Sequence, residues 1–255
     1  MAKKEKDKSS DQINKAEMII RQAVKLPLVR VDRKKYLHKE LRKYYPESTV
    51  KLAIDNNPAF AGIEREIIND ISKHVINYET NKVAAISFAA GVPGGFAMAA
   101  TVPADVAQYF GFLLRTMQKL AYLYGFEELE LSEDNISDET MNRILIYLGV
   151  MFGTQGANAA VKTIADAAAQ KVSRSLAHKA LTKGTIYPLV KKIAQKVGIR
   201  MTKDIFARGV SKVVPIVGGV VTGGLSYLTF KPCAKKLRNS FKSLPLSDPG
   251  FYTNS

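Results

Sequence analysis

A chain of 255 residues that is 46% hydrophobic is long enough to bury a sizeable core, which sets it apart from disordered chains. Its single cysteine, Cys233, excludes an internal disulfide, and three scattered histidines leave no metal or cofactor signature, so neither is expected. The net charge of +15 is unevenly spread: residues 1–45 carry +8, residues 46–159 carry −7, residues 160–242 carry +15 and the tail −1, which predicts a basic surface suited to a polyanion, either lipid or nucleic acid.

The leader MAKKEKDKSSDQ lacks the apolar core of a signal peptide, and a cytoplasmic chain is expected. Beyond it, Ile13, Met18, Ile20, Ala23 and Val24 predict an amphipathic helix ending before Pro27. Asp32 should cap a second helix whose Tyr36, Leu37, Leu41 and Tyr44 share a face opposite Arg33, Lys34, Lys39 and Lys43, with Pro46 stopping it. A short helix over 50–54 ends at Asn56, Asn57 and Pro58. In the helix that follows, Ile63, Ile67, Ile71, Val75 and Tyr78 run along one side.

The run 83–126 is the longest apolar segment, and the rest of the chain is expected to cover it. From Val83 to Leu114 the only charge is Asp105. Pro93, Gly94 and Gly95 cannot continue a helix, so one should end near Gly91. Another restarts around Thr101 to Asp105: Thr101 or Val102 caps it, Pro103 suits its first turn, and the Asp105 carboxylate lies near the unpaired amides. Val106, Phe110, Leu113, Met117, Leu120 and Tyr124 then form one apolar face.

The stretch 127–139 holds seven carboxylates and no base, without the spacing and glycine of a calcium loop. It is expected to be a solvated loop leading into a helix capped near Ser137, over about 138–151. An alanine-rich helix follows, expected over 154–181. Farther on, 213–230 is 18 residues without a charge, flanked by Lys212 and Lys231, with Gly219 and Gly223 four apart as in closely packed helices. Its length is marginal for a membrane span, and Pro215, four glycines and a Ser-Tyr pair favour a segment buried in the bundle. Strand signals are missing, so the predicted fold is all-α: a single compact bundle of about eight to ten helices, with apolar helices broken by glycine and proline. Residues 1–45 read as a basic helical extension, 46–245 as the main domain and 246–255 as a tail.

Three blocks in order, VPGGFAMAATVPADVAQYF…YLYGF over 92–126, KALTKGTIYPLVKKIA over 179–194 and VVPIVGGVVTGGLSYLTF over 213–230, resemble the EcsC family of bacterial proteins. The resemblance spans roughly residues 60–242. It implies a helical bacterial protein with a membrane connection, in company with an ABC transporter, and supplies no active site to carry over.

The expected function is therefore non-enzymatic binding at an anionic membrane surface or a membrane protein complex, on the inner membrane face. The basic residues expected to carry it are Lys191, Lys192, Lys196, Arg200, Lys203, Arg208, Lys212, Lys235, Lys236 and Arg238, while Gly94, Gly95, Gly219 and Gly223 are expected to pack helices or face the membrane. One alternative is a lipid-acting hydrolase using Asp105, which would need a partner for acid–base work; His38, His74 and His178 sit in no nucleophile or metal motif. Nucleic acid is a third reading. It stands behind lipid because no helix-turn-helix, zinc or RNA-binding signature accompanies the basic charge.

Overall fold

The computed structural model describes the backbone of residues 2–90, 104–131, 136–170, 187–211 and 218–253, and side chains over 10–85, 106–131, 136–170, 187–201 and 228–253. The described residues form an all-α bundle without strands: α1 (Ala2–Val24), α2 (Arg33–Leu41), α3 (Glu47–Asp55), α4 (Arg65–Ala90), α5 (Ala104–Leu123), α6 (Asp138–Met151), α7 (Ala157–Ala169), α8 (Tyr187–Ser211), α9 (Gly218–Lys242) and the short α10 (Pro249–Thr253), with a 3-10 turn at Pro245–Ser247.

Helix α5 is the axis of the bundle, because its sequence is apolar almost all round. Val106, Phe110, Leu113, Met117, Leu120 and Tyr124 are all buried as the periodicity requires, and so are Tyr109, Leu114, Ala121 and Tyr122 on the other sides. Helices α1, α2, α4 and α9 pack around it, while α6 is covered by α7, α8 and α9. The longest seam joins α9 to α4. Phe230 and Phe241, eleven residues apart and so on one side of α9, each anchor an aromatic cluster at one end of α5. Phe230 meets Tyr109 at 6.1 Å between ring centroids. Phe241 meets Phe126 at 4.7 Å and Tyr147 at 5.1 Å. Truncating a wholly buried aromatic such as Phe241 to alanine costs about 3 to 5 kcal/mol.

Capping fixes several boundaries. Asp32 accepts from the Lys35 amide at 2.9 Å and Ser137 from the Thr140 amide at 3.2 Å, each satisfying a free donor in a first turn. Helix α4 ends at Ala90, beside the expected stop at Gly91. Helix α9 runs through Pro232, which removes a donor from the helical ladder; packing along α4 outweighs that loss.

Several expectations are corrected. On α1 it is Ile19 that is buried, whereas Met18 is 43% exposed. Arg33 does not face water; it is 8% exposed and donates to the carbonyls of Ile54 (2.7 Å), Asn56 (2.9 Å) and Phe126 (3.3 Å), tying the ends of α3 and α5 together. Helix α2 stops at Leu41, well before Pro46, and Tyr44 lies outside it and half in solvent. Ile63 precedes α4, whose buried stripe is Ile68, Ile71, Ser72, Val75, Ile76, Glu79, Thr80 and Val83, leaving Tyr78 exposed. The acidic loop is only partly solvated, because alternating Leu129 and Leu131, then Ile136, turn into the core. The alanine-rich helix is described over Ala157–Ala169 only; residues 171–186 lie outside the described set.

The two ends are integral to this core. Ala16, Ile19, Ile20, Ala23, Leu37 and Leu41 belong to the same apolar cluster as α5. In the tail Leu246 is buried, Tyr252 accepts from Asn57 Nδ2 at 3.1 Å, and Asp248 pairs with Arg65 at 2.5 Å.

Candidate functional site

A carboxylate sits inside the apolar stripe of α4. Glu79 falls three or four residues from Val75, Ile76 and Val83, so the helix that buries those residues must bury it too. Its side chain is 0% exposed, and Oε1 accepts from Arg115 Nε at 3.1 Å and from Lys119 Nζ at 2.5 Å. The two cations are one turn apart on α5 and converge on one oxygen. The Lys119 ammonium also lies 5.7 Å from the Tyr36 ring centroid and 5.8 Å from that of Tyr78, within reach of both π faces. Burial lowers the pKa of Lys119 and holds the Tyr36 hydroxyl well above the ordinary phenol range. Glu79 Oε2 and Tyr36 Oη have no hydrogen-bond partner among the described residues.

This cluster controls the connection between α1 and α2. The Arg115 guanidinium donates through a second nitrogen to the carbonyl of Leu28. One turn along α5, Gln118 donates to the Val29 carbonyl at 2.9 Å and accepts from the Val31 amide at 3.0 Å. Val29 is thereby seated in the core, and Leu28 is held outside it, 71% exposed at φ 69°. Chemically, Glu79 serves as an ionic clasp with its bonded oxygen committed to two cations.

A second polar seam joins α4, α5 and α9. Arg238 Nε donates to Ser72 Oγ at 2.7 Å and its Nη2 to Asn69 Oδ1 at 3.3 Å, while Tyr124 Oη lies 3.0 Å from Ser72 Oγ. Arg238 was expected on the open basic surface; it is half-buried and bonded across the α4–α9 seam.

The other basic residues separate by position. On α8, Val190, Ile193, Ala194, Val197 and Met201 are buried, which turns Lys192, Lys196 and Arg200, spaced four apart, onto the opposite face. They are exposed there with Lys191 and the 37% exposed Ile199. On α9, Lys235 and Lys236 are exposed. Lys203 and Arg208 continue α8, but their side chains, and the whole of Lys212, lie outside the described residues.

Asp105 is the second residue of α5, in the first turn as its sequence context requires, and its side chain is outside the described set. Gly94 and Gly95 lie outside it altogether; Gly219 and Gly223 fall in the first two turns of α9. The close approaches that the described residues reveal are at other glycines. A Cβ on Gly149 of α6 would stand 2.5 Å from Ile193 Cγ2, and one on Gly198 of α8 would fall on the Gln12 carbonyl of α1. His38 meets Glu47 at 3.1 Å on the surface and His74 Nδ1 the Asp70 carbonyl at 2.9 Å, while His178 lies outside the described residues. Among the described residues no group of three His, Cys, Asp or Glu side chains is placed to hold a metal ion, and no helix is long and apolar enough to cross a membrane.

Glu79 and Gly198 were missed in the sequence, although each had a signal. Glu79 is a charge at an apolar-stripe position facing two cations four apart, and Gly198 is a glycine among buried positions of a long helix. In comparison with known proteins, no family model, no curated protein and no solved structure matches the chain.

Proposed function

We propose that this chain is a non-enzymatic, peripheral membrane-binding protein whose basic faces dock on an anionic bilayer surface. The observation that carries the reading is the solvent face of α8, where Lys191, Lys192, Lys196 and Arg200 are exposed along one helix. Each such charge near an anionic leaflet contributes about 1 kcal/mol, so the four together supply about 4 kcal/mol. Lys235 and Lys236 on α9 add to the positive field. The EcsC-like blocks in the sequence agree with a membrane connection.

Lipid and nucleic acid both attract basic surfaces, and both interactions weaken with salt, so competition separates them. The chain is expected to co-sediment with vesicles containing phosphatidylserine, to ignore vesicles of phosphatidylcholine alone, and to stay bound when duplex DNA is added. Charge reversal at Lys192→Glu and Lys196→Glu should weaken sedimentation without lowering the melting temperature. Complete displacement by DNA, or equal binding to neutral vesicles, would refute the proposal.

A further inference from the structure

Charge alone holds a protein loosely at a bilayer, and stable docking takes a second, apolar signal. The connection between α1 and α2, KLPLVRVD over 25–32, has the composition for one. Val29 is buried and Leu26 and Val31 are half-buried against the core, so the loop's other large apolar side chain, Leu28, is the one sent outward. Leu28 is also the one non-glycine residue with positive φ among the described residues, a conformation that a branched side chain avoids unless its surroundings impose it.

Arg115 grips the Leu28 carbonyl, Gln118 pins Val29 and Val31 on one side of it, and the buried Glu79 carboxylate fixes Arg115 at 3.1 Å. A buried ion pair is thus committed to presenting an exposed leucine on an unfavourable backbone. Two of the loop's exposed charges are basic, Lys25 and Arg30, while the third, Asp32, is committed to capping α2. On α4, Tyr78 is exposed next to Glu79 in sequence, with Lys82 Nζ 5.9 Å and Lys119 Nζ 5.8 Å from its ring centroid. An apolar tip with basic residues beside it in the loop, and an exposed aromatic on the helix that carries Glu79, has the chemistry of the layers of an anionic bilayer: acyl boundary, interface and phosphate.

From this geometry we infer that the 25–31 loop is a membrane-insertion finger, with Leu28 entering the acyl boundary of an anionic bilayer, Tyr78 at the interface, and Lys25, Arg30 and Lys82 meeting lipid phosphates. The inference rests on the bilayer-docking function proposed above and adds an apolar contact to the basic ones.

The chain contains no tryptophan, so Leu28→Trp places a sole indole at the tip. With phosphatidylserine-containing vesicles its emission should shift to the blue, and brominated acyl chains should quench it. Leu28→Gly suits the positive φ and removes the side chain; it should melt no lower than the parent yet bind the same vesicles about tenfold more weakly or worse. If the parent co-sediments but the indole at position 28 neither shifts nor is quenched, the finger is refuted and docking stands. If Leu28→Gly binds like the parent, the finger is likewise refuted. A parent chain that does not sediment with these vesicles overturns both.

Discussion

Arg115 of α5 donates Nε–H to the fully buried Oε1 of Glu79 on α4 at 3.1 Å, and the same guanidinium holds the Leu28 carbonyl. One residue therefore couples an interior carboxylate to the backbone of a surface loop. Lys119 completes the cluster from the next turn, and its ammonium is largely removed from water.

Removing the carboxylate leaves that ammonium buried without its counter-charge. Glu79→Gln should destabilise the fold by about 3 kcal/mol, the order found when one partner of a buried pair is lost. Glu79→Gln combined with Lys119→Met should recover part of it, since an unpaired buried charge is no longer present. Urea denaturation of the two variants and the parent checks this. A double variant no more stable than Glu79→Gln alone would contradict it.

Gly198 marks where α8 meets the backbone of α1. Its missing Cβ is replaced there by the Gln12 carbonyl, so Gly198→Ala must push the helices apart and should cost about 1 to 3 kcal/mol. Gly62, at φ 73° with nothing within 4 Å of an added Cβ, is the control. Alanine there meets only backbone strain, of roughly 1 to 2 kcal/mol, and leaves the helix packing intact. Thermal melts of both variants, with near-ultraviolet circular dichroism to read side-chain packing, distinguish the two costs.

Alkaline pH should unfold the protein through its tyrosines. Burial raises the hydroxyl pKa of Tyr36, Tyr122, Tyr124 and Tyr147. The unfolded chain releases those protons near pH 10 while the folded chain retains them, so above that pH the folded state binds more protons and stability falls as pH rises. Lys119 acts in the opposite sense, because its lowered pKa makes the folded chain lose that proton first. Four phenols outweigh one amine. The urea midpoint should drop as pH rises above about pH 10, and tyrosinate absorbance should rise together with the loss of helical ellipticity. Ionisation of all 11 tyrosines near pH 10 with ellipticity unchanged would contradict the assignment.

The fold was legible where local rules act alone. The caps at Asp32 and Ser137, the stop beyond Ala90, and the six-residue apolar face of α5 all follow from short-range pattern. What the pattern concealed depends on partners distant in sequence. Arg33 looked like a solvent-facing base because its three carbonyl acceptors come from the ends of α3 and α5, 21 to 93 residues away. Tyr78 looked like a core residue because a stripe of isoleucines can be continued in two registers, and tertiary packing chose the one that buries Glu79. At the candidate site, the exposed lysines of α8 could be read from composition and periodicity. The Leu28 finger could not, since nothing local to KLPLVR says that Arg115 and Gln118 will hold its carbonyl and its neighbours.

Peripheral docking is tested most directly by extraction. Protein bound to phosphatidylserine-containing vesicles at low ionic strength is washed with about 1 M sodium chloride, where screening is nearly complete within about 3 Å. A single leucine is too small an anchor to resist loss of the charge attraction, so the protein should return to the supernatant with its helical ellipticity unchanged. Protein that remains with the vesicles after this wash would contradict surface docking and point to an inserted helix.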